Sequence, residues 1–294
     1  MTENYIEFKK QRELGDIISD TFAFIRVQFK PFFSAFFTIV GPYLLAMLIC
    51  MGFYLYIAGD QFNFIAIQYS STTPDLLMFG LSFFMYLISM VVVYTISQAT
   101  VLHYIKSYAA SNGSVDMHEV RRNVYKSFWS FIGLGILVGL SVGIGFLFCF
   151  IPGIYLYVPL TLSFSVLVFT EKDVMDSYGY TFTLVKDEWW ITFAAVFVIG
   201  IIVTVASYAF SLPASIYNLV SMGISSGEMD IESFSELTTD PIHIFLQILA
   251  AIAQFMLNLI TVVAGCLIYF NLNEKKNFTG TYERIKNLGG TEDQ

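Results

Sequence analysis

From Phe128 to Phe169 the chain carries no charged residue, and the run is broken only by a Pro152-Gly153 pair. If both arms are helical, it is long enough to cross a bilayer core of about 30 Å twice. Its first arm places Gly135, Gly139 and Gly143 at four-residue intervals. One helical face is then a groove without side chains, where another helix can approach closely. The stretch reads as a buried hairpin at the centre of a membrane bundle.

Composition agrees with that reading. The chain is 56% hydrophobic and 13% charged, with mean hydropathy +0.67, values outside the soluble range and inside that of polytopic membrane proteins. A net charge of -8 argues against nucleic acid as a partner, although in a membrane protein the side on which each charge lies matters more than the total. Cys50, Cys149 and Cys266 all fall in apolar runs. They form neither a metal spacing nor a disulfide framework and read as small core residues. Residues 1 to 30 hold no cleavable apolar core, so the first span is expected to direct insertion itself.

Six runs are able to span: about 33–57, 76–105, 130–151, 154–170, 190–211 and 243–272. Kinks are expected at Gly41-Pro42 and at Pro159, where proline removes a backbone donor. The expected class is therefore an all-α, six-span membrane bundle forming one domain over 1–273, followed by a polar tail over 274–294. If the amino terminus is cytoplasmic, all 15 Lys and Arg lie in cytoplasmic segments, and the outer loops, 58–75, the Pro-Gly turn and 212–242, hold none. That split supports the six-span count and a multi-pass protein of the cytoplasmic membrane with both termini inside. Trp129, Trp189 and Trp190 then sit together at the inner interface as anchors.

The segments before the odd-numbered spans share a pattern. Leu14, Ile18, Phe22, Ile25 and Phe29 repeat at helical spacing among charges. So do Met117, Val120, Val124 and Phe128, and so do Val174, Tyr178, Phe182, Val185 and Trp189. Each reads as an amphipathic helix in the headgroup plane. Aligning Asp16 with Asp173 brings Phe32-Phe33 onto Trp189-Trp190 without a gap, which suggests three units of interfacial helix plus hairpin. A lead-in helix of any origin would show the same periodicity.

Pro152-Gly153-Ile154-Tyr155, Glu171, Asp176-Ser177 and Leu184-Val185-Lys186-Asp187-Glu188-Trp189-Trp190 together resemble the signature of a six-span bacterial family. That family is related to the membrane domain attached to some glycerophosphoryl diester phosphodiesterases. The opening run from Arg12 to Phe22 resembles the start of its stand-alone members. The resemblance implies membrane placement and a lipid connection rather than hydrolysis, because in this family the membrane part is not the catalytic part.

The remaining candidates are weaker. Gly139-Leu140-Ser141-Val142-Gly143 matches the G-x-S-x-G pattern, but a nucleophile elbow needs a strand, a strained turn and later Asp and His partners. A packing serine is the better reading, and no catalytic residue is assigned. His103, His118 and His243 are scattered, so no metal or cofactor site is assigned. A cation site from His243 with Glu228, Asp230, Glu232 and Glu236 lacks the offsets of a calcium loop. No Asp, Glu, Lys or Arg lies well inside a span, which argues against proton relays and ion-coupled transport. Gln247, Gln254 and Asn258 form one polar stripe in the sixth span, and the second contributes Ser97, Gln98 and Thr100. Such amides either bond to neighbouring helices or line a polar cavity.

Three functions are weighed. The leading one is a non-enzymatic membrane protein that organises membrane lipids, a membrane-protein partner or further copies of itself through interfacial helices. A transporter or lipid-handling channel built on the polar stripe is the second, and a membrane-embedded enzyme the third.

Overall fold

A computed structural model describes residues 5–66, 76–221 and 240–289. Among them the chain is entirely helix and connecting turn, an all-α bundle. The helices are α1 (Leu14–Val27), α2 (Phe29–Ala66), α3 (Leu76–Ala110), α4 (Met117–Phe148), α5 (Phe150–Leu160), α6 (Ser163–Thr170), α7 (Val174–Val185), α8 (Trp189–Ser221), α9 (Pro241–Asn277) and α10 (Thr279–Gly289). Six helical stretches are long and apolar enough to cross a membrane: Phe29–Ala58, Leu77–Ala110, Met117–Phe148, Phe150–Thr170, Val174–Ser221 and Pro241–Asn277. Much of their surface is bare apolar side chain, with Ile49, Leu77 and Leu147 each more than 70% exposed. Water would not tolerate so continuous an apolar surface, whereas acyl chains require one.

Two compact units emerge. One comprises Met1–Ile39, Thr95–Ile202 and Leu259–Gln294, and the other Val40–Tyr94 and Val203–Asn258. Every one of the 15 basic residues belongs to the first. The core of the first unit is aromatic. Phe8, Phe24, Phe32, Tyr104 and Tyr108 are fully buried or nearly so. Phe24 meets Tyr108 edge-on at 5.3 Å, and Phe32 meets Tyr104 at 5.2 Å. Edge-to-face pairs of this kind add about 0.5–1.5 kcal/mol each beyond burial. In the second unit Tyr54 stacks on Tyr86 at 5.6 Å and Tyr94 packs against Phe255 at 6.5 Å.

Local chemistry explains the helix boundaries. Asp116 accepts from the backbone of His118 (2.9 Å) and Glu119 (3.3 Å), capping α4. Asp240 caps α9 by accepting from Ile242 N at 3.0 Å; such caps satisfy donors that the first turn leaves free. α2 runs unbroken through Pro42, so no helix ends at the expected kink. The hairpin break falls at Cys149, whose backbone is extended, and not at Pro152-Gly153. Those two residues occupy the first turn of α5, where a missing N–H leaves no bond unmade. The return arm breaks again after Pro159, between α5 and α6.

Of the three expected lead-in helices, α1 and α7 are separate elements, and a 3-10 turn, Lys186–Glu188, follows α7. Residues 117–128 instead continue without interruption into the apolar part of α4. The polar tail holds a further helix, α10.

Candidate functional site

The amino-terminal segment is anchored before α1 begins. Phe8 inserts between Phe24, Phe270 and Tyr108, with centroids at 5.2, 5.6 and 5.9 Å. Ile6 N donates to Tyr108 Oη at 3.0 Å. The Arg12 side chain is fully buried, and its guanidinium holds the segment in a turn around itself. Nη1 donates to Phe8 O (2.7 Å) and Lys10 O (3.2 Å), Nη2 to Glu7 O, and Nε to Asp20 Oδ2 at 2.9 Å. Arg12 N also donates to Asn271 Oδ1 at 2.8 Å, tying the segment to α9. Burial lowers the guanidinium's pKa, and Asp20 opposes that shift. Burial pushes the Asp20 carboxyl upward, but the hydrogen bonds from Arg12 and Lys10 outweigh it and leave the carboxyl below its ordinary value.

The carboxyl terminus closes over the same segment. The buried Glu274 carboxylate accepts from Gly280 N (2.7 Å), Thr281 N (2.9 Å) and Thr281 Oγ1 (2.6 Å), neutralising the amino end of α10. A Cβ on Gly280 would lie 2.4 Å from Lys9 O, so only glycine lets the two terminal segments cross there. Lys9 pairs with Glu283 at 2.6 Å, and Arg284 Nη2 donates to Lys9 O at 3.0 Å.

Beside this knot lies a cavity of about 570 Å³. Leu14, Trp190, Ile191 and Ala194 give it apolar walls, and Gln11, Glu13, Asp16 and Lys275 give it a charged rim. Trp190 is 75% exposed, and Lys275 Nζ sits 3.1 Å from Glu188. With Arg12 committed to its own backbone, Lys275 is the cation the rim can offer a ligand. An apolar wall under one ammonium and two carboxylates suits a molecule with an apolar tail and a zwitterionic head.

The outward face of α1 continues that surface. The stripe that packs inward is Ile17, Thr21 and Phe24. The stripe singled out in the sequence points the other way: Phe22 is 41% and Phe29 57% exposed, while Leu14, Ile18 and Ile25 are half-buried. In α7 the inward residues are likewise Ser177, Thr181, Leu184 and Val185.

The remaining expected sites are distributed differently. The glycine groove is corrected. An added Cβ would meet nothing within 4 Å at Gly139 or Gly143, and only the Phe164 ring at 3.8 Å at Gly135. Close approach occurs instead at Gly145, where a Cβ would lie 3.0 Å from Gly153 Cα. The reason is the position of the break, since α5 leaves from Cys149 and meets α4 within one turn. Ser141 sits mid-helix, donating to Leu137 O (2.8 Å) and accepting from Tyr178 Oη (2.9 Å), which is not an elbow.

Trp129 is 77% exposed. Trp189 stacks between Tyr155 (5.6 Å) and Phe193 (5.4 Å). In the polar stripe Asn258 Nδ2 donates to Tyr94 Oη. Gln254 is exposed, and Gln98 and Gln247 are half-buried. His103 bonds Ser127 Oγ at 3.0 Å, His118 is exposed, and His243 bonds Asn218 Oδ1 at 2.7 Å. No three His, Cys, Asp or Glu among the described residues could hold a metal together. Glu228, Asp230, Glu232 and Glu236 lie outside the described residues. The Arg12 turn and the Glu274 cap were not expected from the sequence; a lone Arg and a lone Glu in charged flanks carry no periodic signal.

Fold and surface define a multi-pass helical membrane protein. Comparison with family models, curated proteins and solved structures finds no match.

Proposed function

We propose that the chain is a non-enzymatic integral protein of the cytoplasmic membrane, both termini cytoplasmic, that organises phospholipid through α1, α7 and the cavity between the terminal knot and Trp190. One observation carries this reading. The apolar stripe of α1 faces outward while a second stripe holds the helix to the protein, as an interfacial helix requires. The cavity beside it offers an exposed indole and an ammonium at one level, which suits a phospholipid headgroup and its first methylenes. Confinement of all 15 basic residues to one unit supports a single cytoplasmic side. The resemblance to the membrane domain of glycerophosphoryl diester phosphodiesterases points toward lipid as well.

The test is native mass spectrometry of protein extracted with its lipids. Trp190→Ala and Lys275→Ala are expected to reduce retained phospholipid while Trp129→Ala does not. Equal retention in all three variants refutes the site, and turnover of glycerophosphodiesters by purified protein refutes the non-enzymatic assignment.

A further inference from the structure

We infer that the α4–α5 hairpin is re-entrant: its tip inserts among the acyl chains of the leaflet at the charged end of the protein and does not emerge on the opposite face. Length and composition would allow each arm to cross, so the inference rests on what the tip touches.

Tyr155 lies six residues past the hairpin break at Cys149. Its ring stacks on Trp189 at 5.6 Å and 21°, and its carbonyl accepts from Trp189 Nε1 at 3.4 Å. Trp189 directly follows Glu188, which pairs with Lys275 at 3.1 Å. On the other arm, Ser141 Oγ accepts from Tyr178 Oη at 2.9 Å. Both arms are thus fastened to α7 and its continuation. α7 in turn is held at the charged end, because Lys276 Nζ donates to Thr183 O (2.6 Å) and Asn277 Nδ2 to Tyr180 Oη (2.9 Å).

Ionised groups stay at or beyond the headgroups, so Glu188 and Lys275 mark the interface. The stacked pair and one peptide step allow about 18 Å between the Cα atoms of Tyr155 and Glu188 at full stretch. Six further helical residues add about 9 Å. Even a straight, fully extended path therefore falls short of the far side of a core about 30 Å thick.

Two independent features agree. The whole hairpin groups with the unit that holds every basic residue. Gly145 to Tyr155, the tip, contains no polar side chain except the Tyr155 hydroxyl, with Leu147, Phe148, Phe150 and Ile151 at 86, 84, 70 and 75% exposure. A turn emerging into water would leave those side chains hydrated, whereas acyl chains accept them. The broken return arm fits as well: α5 and α6, 11 and 8 residues long, are about 16 and 12 Å. Neither crosses alone. A re-entrant hairpin leaves both of its ends on one side, so it preserves the charge asymmetry.

The test uses Cys149, exposed at the tip, in the full chain with Cys50 and Cys266 replaced by alanine. A bimane on Cys149 in proteoliposomes is challenged with brominated phospholipid confined to one leaflet, and with aqueous iodide on each side. Quenching by the leaflet at the charged end, with loss of quenching when the bromolipid is confined to the other leaflet and no response to iodide, is expected. Preferential quenching by the opposite leaflet, or by iodide from either side, overturns the inference. Bimane on Ser114→Cys, in the α3–α4 turn, identifies the charged side. Lipid retention is not read, so this result and that for the cavity fail separately.

Discussion

Replacing Arg12 with methionine tests whether one buried guanidinium holds the amino-terminal segment in place. Methionine keeps most of the apolar stem and removes donors to Glu7 O, Phe8 O, Lys10 O and Asp20 Oδ2. Asp20 keeps a partner, since Lys10 Nζ lies 3.0 Å away. The loss is therefore below the 3–5 kcal/mol typical of a buried charge left alone. The carbonyls gain no new donor, and hydrogen bonds to charged groups contribute about 1.5–3 kcal/mol each. Because rearrangement lets water reach some of them, a net of about 3 kcal/mol follows, or roughly a 100-fold rise in local opening. Amide hydrogen exchange of peptides covering residues 5–13, read by mass spectrometry in detergent, measures that opening directly. Arg284→Ala is the control: its side chain is 54% exposed, and exposed pairs contribute about 1 kcal/mol or less. Protection in Arg12→Met within about threefold of the parent, or no worse than in Arg284→Ala, would refute the assignment of the guanidinium as the organiser.

Three other outcomes follow from contacts of the same kind. Gly145→Ala places a Cβ 3.0 Å from backbone that cannot swing away. It should destabilise by about 1 kcal/mol net, overpacking of about 1–3 being partly offset by helix propensity. Gly139→Leu, in open space, should leave the melting temperature unchanged or raise it; a reversed order would mean that a second copy packs on Gly139. Gly280→Ala, whose Cβ would lie 2.4 Å from Lys9 O, should open the terminal knot and speed tryptic cleavage after Lys9 and Lys10. Unchanged cleavage would contradict the crossing. Because the folded Asp20 pKa lies below its unfolded value, its contribution is present above about pH 4 and lost as pH falls through the folded value. The gap in melting temperature between the parent and Asp20→Asn should therefore be full at pH 7 and close in acid.

The class of fold was legible because it depends on bulk properties. Long uncharged runs need a bilayer, and the confinement of every Lys and Arg to a few segments marks those segments in advance. The separate status of α1 and α7 was also readable from periodicity. The fusion of 117–128 with α4 was not. It depends on the absence of a breaker near Phe128, whereas α1 ends at Gln28 and α7 passes into a 3-10 turn. Periodicity also misdirected the face. In α1 the apolar stripe faces outward, and the inward stripe contains Thr21, whose hydroxyl is satisfied by Ile17 O at 2.6 Å. In a membrane protein, apolar side chains serve the solvent as well as the core, so a hydrophobic stripe does not say which side it serves.

The same ambiguity explains the glycines and the site. Gly135, Gly139 and Gly143 have the spacing of a packing face, but spacing specifies only a bare surface. What occupies it depends on where the partner helix leaves, and that is set by the extended backbone at Cys149, which no composition rule anticipates. Arg12 and Glu274 are hidden for a related reason. Each acts on backbone groups, Arg12 on three carbonyls and Glu274 on two N–H groups, and backbone partners leave no pattern in side-chain identity. Both close the terminal segments beside the same cavity. Its apolar wall comes from α8 and its charged rim from the residues around Glu13 and Lys275, segments that sequence separation keeps far apart until Phe8, Arg12 and Asn271 bring them together. The cavity is thus a product of the terminal knot, and opening the knot at Arg12 should reduce phospholipid retention as Trp190→Ala does, although neither Arg12 nor Asn271 has a free donor to offer the lipid.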